Sequence, residues 1–201
     1  MDVLSHNLEY SSALTGASFL FYEIKQVVKL SLEGLSDKEI KEVVIEDNLF
    51  EYQHVSSLKR AIPSLLRRKM AFDDVLVNML LNENVETAKM INLYAIMKTD
   101  RLFFEWMAEV ISQKLFEGDF LLEKKDINVF FNHKAEQSEK VSSFKEQTVK
   151  KLQTVHQRIL HESGILMDIK KGTLTVPIID MDLKEHLEAI NDADYIKAMG
   201  A

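Results

Sequence analysis

Apolar residues recur at helical spacing along most of this chain, and in one short stretch they alternate instead. From Ser18, the residues Leu20, Phe21, Ile24, Val27, Val28 and Leu32 fall on one side of a helix that Gly34 can end. Ser36 followed by Glu39 is a capping box for a short second helix whose buried stripe is Ile40, Val43 and Val44. After a turn near Asp47 and Asn48, a helix over 57–70 collects Leu58, Ala61, Ile62, Leu65 and Leu66 on one side, with Arg60, Ser64 and Arg67 opposite. Pro63 predicts a kink there, or a restart with Pro63 in the first turn, because an interior proline removes a backbone donor. Asp73 or Asp74, then Asn84, then Thr99 or Asp100 read as N-caps of three further helices, the last reaching Gly118. Phe103, Trp106, Val110 and Leu115 are the core positions of that last one.

The segment from Gly118 to Asp126 is the expected crossing between two modules, 1–118 and 119–201. Beyond it come a short helix with Ile127, Val129, Phe130 and Phe131, and a long amphipathic helix from Ser143 to His161. The long helix buries Phe144, Leu152, Val155 and Ile159. Its other face carries Gln147, Lys150, Thr154 and Gln157, flanked by Lys151 and Arg158. Ile165, Met167 and Ile169 then alternate, Lys171-Gly172 makes a turn, and Leu174 and Val176 alternate up to Pro177, which predicts a β-hairpin. Helix, recognition-type helix and hairpin follow in the order of a winged helix, with Lys170 and Lys171 at the tip of the wing. A final helix packs Leu183, Leu187 and Ile190 inward. The expected fold class is mainly α: a helix-turn-helix module followed by a winged-helix-like module with one hairpin.

Charge sharpens this picture. The chain of 201 residues carries 25 Lys and Arg against 32 Asp and Glu, yet residues 56–70 hold Lys59, Arg60, Arg67, Arg68 and Lys69 with no acid. A local cationic face on an acidic protein suits a polyanion that approaches from one side. Ordinary solvation of a helix exterior is the competing explanation. The candidate DNA contacts are Lys59, Arg60, Ser64, Arg67 and Arg68 on the first basic helix, Gln147, Lys150, Lys151, Thr154 and Arg158 on the second, and Lys170 and Lys171 on the wing. No stacking aromatics are legible on these faces.

Other chemistries find no support. The absence of cysteine rules out disulfides, thiolate metal sites and a thiol nucleophile, and fits the cytoplasm. The six histidines do not pair at metal-site spacing, and neither a phosphate-binding glycine loop nor a nucleophile elbow is present. No cofactor is expected, and Glu123-Lys124-Lys125 with Asp119 is a poor match to a metal-dependent nuclease. The longest uncharged run, Tyr10 to Tyr22, is short for a membrane span and rich in Ser and Thr. Asp2 and His6 do not open a secretory signal.

The stretches YSSALTGASFLFYEIK, NLFEYQHVSSLKRAIPSLLRRK and YAIMKTDRLFFEW form a specific combination. Through them the chain, from about Tyr10 through Leu187, resembles the BrxA family, small accessory proteins of BREX bacteriophage-defence systems. The resemblance implies a cytoplasmic, non-catalytic, mostly helical protein with winged-helix-like parts that binds double-stranded DNA and works beside other BREX proteins. The alternatives are a protein–protein scaffold of the defence complex and an antitermination-like RNA-binding protein. An inner-membrane role, also attached to members, conflicts with the lack of any span.

Overall fold

Capping chemistry sets most of the helix starts in the computed structural model, which describes residues 8–200. Asp2, His6 and the outermost residues of the two expected modules lie outside the described residues. Helix α1 is Phe21–Leu32, and α2, Asp37–Glu46, begins at the expected capping box: Glu39 accepts from the Ser36 backbone N–H at 2.8 Å. Helix α3 is Val55–Lys69. Asp73 caps α4, Asp74–Asn82; Asn84 caps α5, Val85–Thr99; and Asp100 caps α6, Arg101–Trp106, each side chain accepting a first-turn backbone N–H at 2.9 Å. The chain continues through a π turn, Met107–Ile111, into α7, Ser112–Glu117. Then come α8, Lys124–Gln137; α9, Glu139–Ser142; α10, Glu146–Ser163; strands β1, Leu166–Asp168, and β2, Thr173–Leu174; α11, Met181–Ala189; and α12, Ala193–Ala198. The mainly α class is found, with a single two-stranded antiparallel sheet among the described residues.

Several local expectations are corrected. Helix α3 runs unbroken through Pro63, which is exposed, so water is available to the Lys59 carbonyl that the proline leaves without a donor. Leu20 precedes α1 in the left-handed region, at φ 52°. The 100–118 helix is interrupted by the π turn. The last helix splits where Asn191 takes φ 63°, and Ile190 is only half-buried. In the hairpin, Ile165 and Leu174 face the core, but the ladder is irregular between Leu166 and Asp168, so Leu166 is buried too while Met167 and Ile169 are exposed. A third segment joins it: the Leu122 N–H donates to the Gly172 carbonyl at 2.8 Å and the Leu174 N–H to that of Phe120 at 2.9 Å. Gly172 sits at φ +72°, and a Cβ there would lie 2.1 Å from the Leu122 carbonyl oxygen, so this close approach requires glycine.

Helix α5 is the axle of the fold. From Thr87 to Met97 nearly every residue is buried, which leaves it without a polar face, and α1, α3, α4, α6, α10 and α12 pack around it. The core is therefore continuous from Tyr10 to Met199. A buried ionic cluster ties three segments together: Glu105 of α6 accepts from Tyr10 Oη at 2.8 Å, from Arg101 Nε at 2.7 Å, and pairs with Lys134 Nζ of α8 at 2.7 Å.

His156 of α10 is enclosed by the rings of Phe103, Trp106 and Phe131, and its Nδ1 bonds to the Leu152 carbonyl at 2.7 Å. Burial lowers its pKa to about 4 against the weaker opposing pull of that carbonyl. Because the unfolded chain takes up this proton more readily, stability is lost as pH falls below the ordinary value near 6.5. Asp100, raised to about 6 chiefly by burial, has the opposite slope and favours the folded state as pH falls from about 6 toward 4. His156→Phe is therefore expected to gain about 2–3 kcal/mol on the parent protein between pH 7 and pH 4.5. Urea unfolding at both pH values measures this, and an equal acid response in both proteins would clear His156.

Candidate nucleic-acid interface

The basic stretch of α3 is divided by its own helical geometry. Arg60 and Arg67, seven residues apart, are both exposed, and among the described residues neither forms an ion pair. Arg60 is braced along its own helix, Nε donating to the Ser56 carbonyl at 3.2 Å and Nη2 to Ser57 Oγ at 3.3 Å. Its stem crosses the 3-10 turn Ala13–Gly16, where a Cβ on Gly16 would stand 3.3 Å from Arg60 Cβ.

Arg68, expected as a DNA contact, is 1% exposed and unavailable to a phosphate. Its Nη1 donates to the Phe19 carbonyl at 2.9 Å, and its Nη2 to those of Ala17 at 2.8 Å and Ser18 at 2.7 Å. Burial lowers its pKa to about 10, against the pull of Asp100, so the guanidinium stays charged at neutral pH. Asn92 Nδ2 adds a second bond to the Phe19 carbonyl at 2.7 Å. Ser64, placed on the outer face by its spacing, is also buried. Lys69 is held by Asp37 of α2 at 2.5 Å. Lys59 is exposed.

One hollow of about 810 Å³ lies between α3 and α10, lined by Arg60 and Ser57 from α3, by Lys151, Thr154, Arg158 and Glu162 from α10, and by residues 15–18 and 20–23. The two cationic helices thus share one side of the molecule. Lys151 and Thr154 are exposed, and Thr154 Oγ1 donates to the Lys150 carbonyl at 2.9 Å. Arg158 pairs with Glu162 at 2.6 Å and Lys150 with Glu146 at 2.5 Å, both exposed one-turn pairs. Such surface pairs contribute only about 0.3–0.5 kcal/mol, so a phosphate can replace the carboxylate.

Two flanking hollows extend the positive surface. Lys150, Thr154 and Lys170 line one of about 600 Å³ with Lys124. Arg67 lines another of about 690 Å³ with Lys140 and the start of the described chain. At the hairpin tip, Asp168 Oδ1 accepts from the backbone N–H groups of Lys170 at 2.8 Å and Lys171 at 3.0 Å, which shapes the turn and leaves both side chains exposed. Gln147, Lys59 and Lys171 line none of these three hollows.

Sequence reasoning passed over four residues here. Lys124 and Lys140 sit among acids and carry no periodic signal. Tyr22 and Tyr52 line the central hollow beside Arg60, correcting the expectation that no aromatic meets the basic faces. Tyr52 Oη donates to Glu23 at 2.6 Å; burial first, and then Glu23, pushes its pKa well up. These rings arrive from α1 and the turn before α3, so no spacing within either basic helix could reveal them. Among the described residues, no helix is long and apolar enough to cross a membrane.

Comparison with known proteins agrees with this architecture. A crystal structure of an uncharacterized protein from Magnetospirillum magneticum superposes with a TM-score of 0.84, covering 96% of this chain and 98% of that one at 19% identity, which shows a shared fold. A protein of Bacillus cereus (strain H3081.97), "BREX protein BrxA", is 39% identical over 189 residues, 93% of this chain and 94% of that protein. The BrxA family model matches residues 8–191, and with this identity over nearly the whole length it follows that the chain belongs to the BrxA family.

Proposed function

We propose that the protein binds double-stranded DNA, without chemistry of its own, as an accessory component of a cytoplasmic BREX anti-phage system whose other proteins are its partners. The name of the Bacillus cereus relative supports the setting. The observation that carries the DNA reading is the convergence of Arg60, Lys151 and Arg158, from two helices far apart in sequence, on one open hollow. Cations arranged this way fix a phosphate backbone in place, and few groups around them are aimed at base edges, so sequence preference should be weak. The segment 120–122, then α8, α10 and the hairpin follow the order of a winged helix, which supports reading Lys170 and Lys171 as wing contacts and 119–201 as a module docked on 1–118.

Arg60, Arg67, Lys151 and Arg158 would make about four phosphate contacts, so duplex affinity should fall with salt at a log–log slope near −3.6. The double variant Arg60→Glu, Arg67→Glu should bind more weakly and with a shallower slope while its unfolding midpoint stays put. Fluorescence anisotropy across a salt series measures both, and a flat salt response would sink the DNA reading. A scaffold role is favoured by a different observation, Phe116 at 92% and Ile178 at 90% exposure. It predicts a co-purifying BREX partner with no duplex affinity. Competition by duplex RNA separates the antitermination-like alternative.

A further inference from the structure

We propose that the hollow between α3 and α10 takes a single nucleotide turned out of the helical stack, its base against Tyr22, its amino edge toward Glu23, and its phosphates on Arg60, Lys151 and Arg158. This rests on the DNA-binding reading and adds a second mode of contact to it. At about 810 Å³ the hollow has the size of clefts that enclose small ligands, whereas an intact duplex can only lie across its mouth.

Three rings line it and only one is free. Phe21 stacks on Phe19, centroids 6.0 Å apart and planes within 20°, and Tyr52 leans on Phe50 at 6.0 Å. Tyr22 is 53% exposed and, among the described residues, has no ring partner. An unpartnered aromatic beside cations is what an unstacked base seeks, and every base offers it a face. Glu23 is the second sign. It lines the hollow beside Arg60, and a carboxylate is an acceptor for the exocyclic amino group of a base. Tyr52 Oη anchors Oε1 of Glu23 at 2.6 Å, and among the described residues Oε2 has no hydrogen bond.

Because extrusion costs a few kcal/mol from a paired duplex and little from an unpaired site, a bulge exposes the preference. The probes are three labelled DNA duplexes of one length and salt: fully paired, with one bulged cytosine, and with one bulged thymine. The cytosine bulge is expected to bind about tenfold tighter than the paired duplex, within the range of one stacked base, and tighter than the thymine bulge. Tyr22→Ala should erase the bulge advantage while the unfolding midpoint stays unchanged; Tyr22→Phe should keep it; Glu23→Gln should remove the cytosine-over-thymine difference. Equal binding of paired and bulged duplexes overturns the inference and leaves the DNA-binding reading standing. An equal loss on all three duplexes in Tyr22→Ala also overturns it. If no duplex binds at any salt, both fall.

Discussion

Arg68→Ala is expected to lower the folding free energy by about 3–5 kcal/mol, the range for removing one member of a buried charged network. Three carbonyls, those of Ala17, Ser18 and Phe19, converge on this one guanidinium, and among the described residues only Phe19 has a second donor, from Asn92. Without it, two buried or half-buried acceptors lose their partners and Asp100 loses the cation that offsets its burial. Leu20, held at φ 52°, would relax, because a left-handed leucine persists only when its surroundings fix it. The segment 17–20 forms one wall of the central hollow, so duplex affinity should fall as well. Arg67→Ala is the control: exposed one residue away, it should leave stability within about 0.5 kcal/mol and weaken DNA binding alone. Denaturant unfolding and anisotropy on both variants separate a positioning role from a contacting one. Wild-type stability in Arg68→Ala would remove the clamp from the account.

Lys134→Met should cost a similar amount, about 3–5 kcal/mol, for a related reason. Lys134 is nearly inaccessible and neutralises Glu105 from α8 while Arg101 approaches the same carboxylate from its own helix. Burial presses the Glu105 pKa upward, and Lys134, then Arg101 and Tyr10, more than offset it, leaving the carboxyl below its ordinary value. The carboxylate therefore adds stability above its unfolded pKa, and that contribution is lost as pH falls through the lower folded value. Adding Glu105→Gln to Lys134→Met should recover part of the loss, since the buried carboxylate that Arg101 alone then faces is gone. Strict additivity in that double-mutant cycle would show that the two groups do not act together.

Helix starts were largely legible because capping is local. Ser36 with Glu39, Asp73, Asn84 and Asp100 each act on a backbone N–H two or three residues away, a reach well inside a sequence window. The core stripe of α3 was legible for the same reason, from Leu58, Ala61, Ile62 and Leu65. Hairpin facing was legible only in part, since an irregularity between Leu166 and Asp168 buries Leu166 beside Ile165 and leaves Met167 and Ile169 exposed. Pro63 does not restart the helix, because it lies on a water-facing turn where the lost backbone donor costs less.

At the candidate site the division is sharper. Sequence alone determined that the chain is mainly helical, that it carries two helices with cationic faces on an acidic background, and that Arg60 and Arg67 share the water-facing side of one of them. All three properties follow from periodicity and charge, which are readable one segment at a time. Only the tertiary structure decided that Arg68 is a buried clamp instead of a contact, that Arg60 meets Lys151 and Arg158 across one hollow, and that Tyr22, Tyr52 and Glu23 join them there. The physical reason is that the destination of a long cationic side chain depends on which carbonyls and carboxylates the rest of the fold brings within its reach, and for Arg68 those lie 49 to 51 positions away.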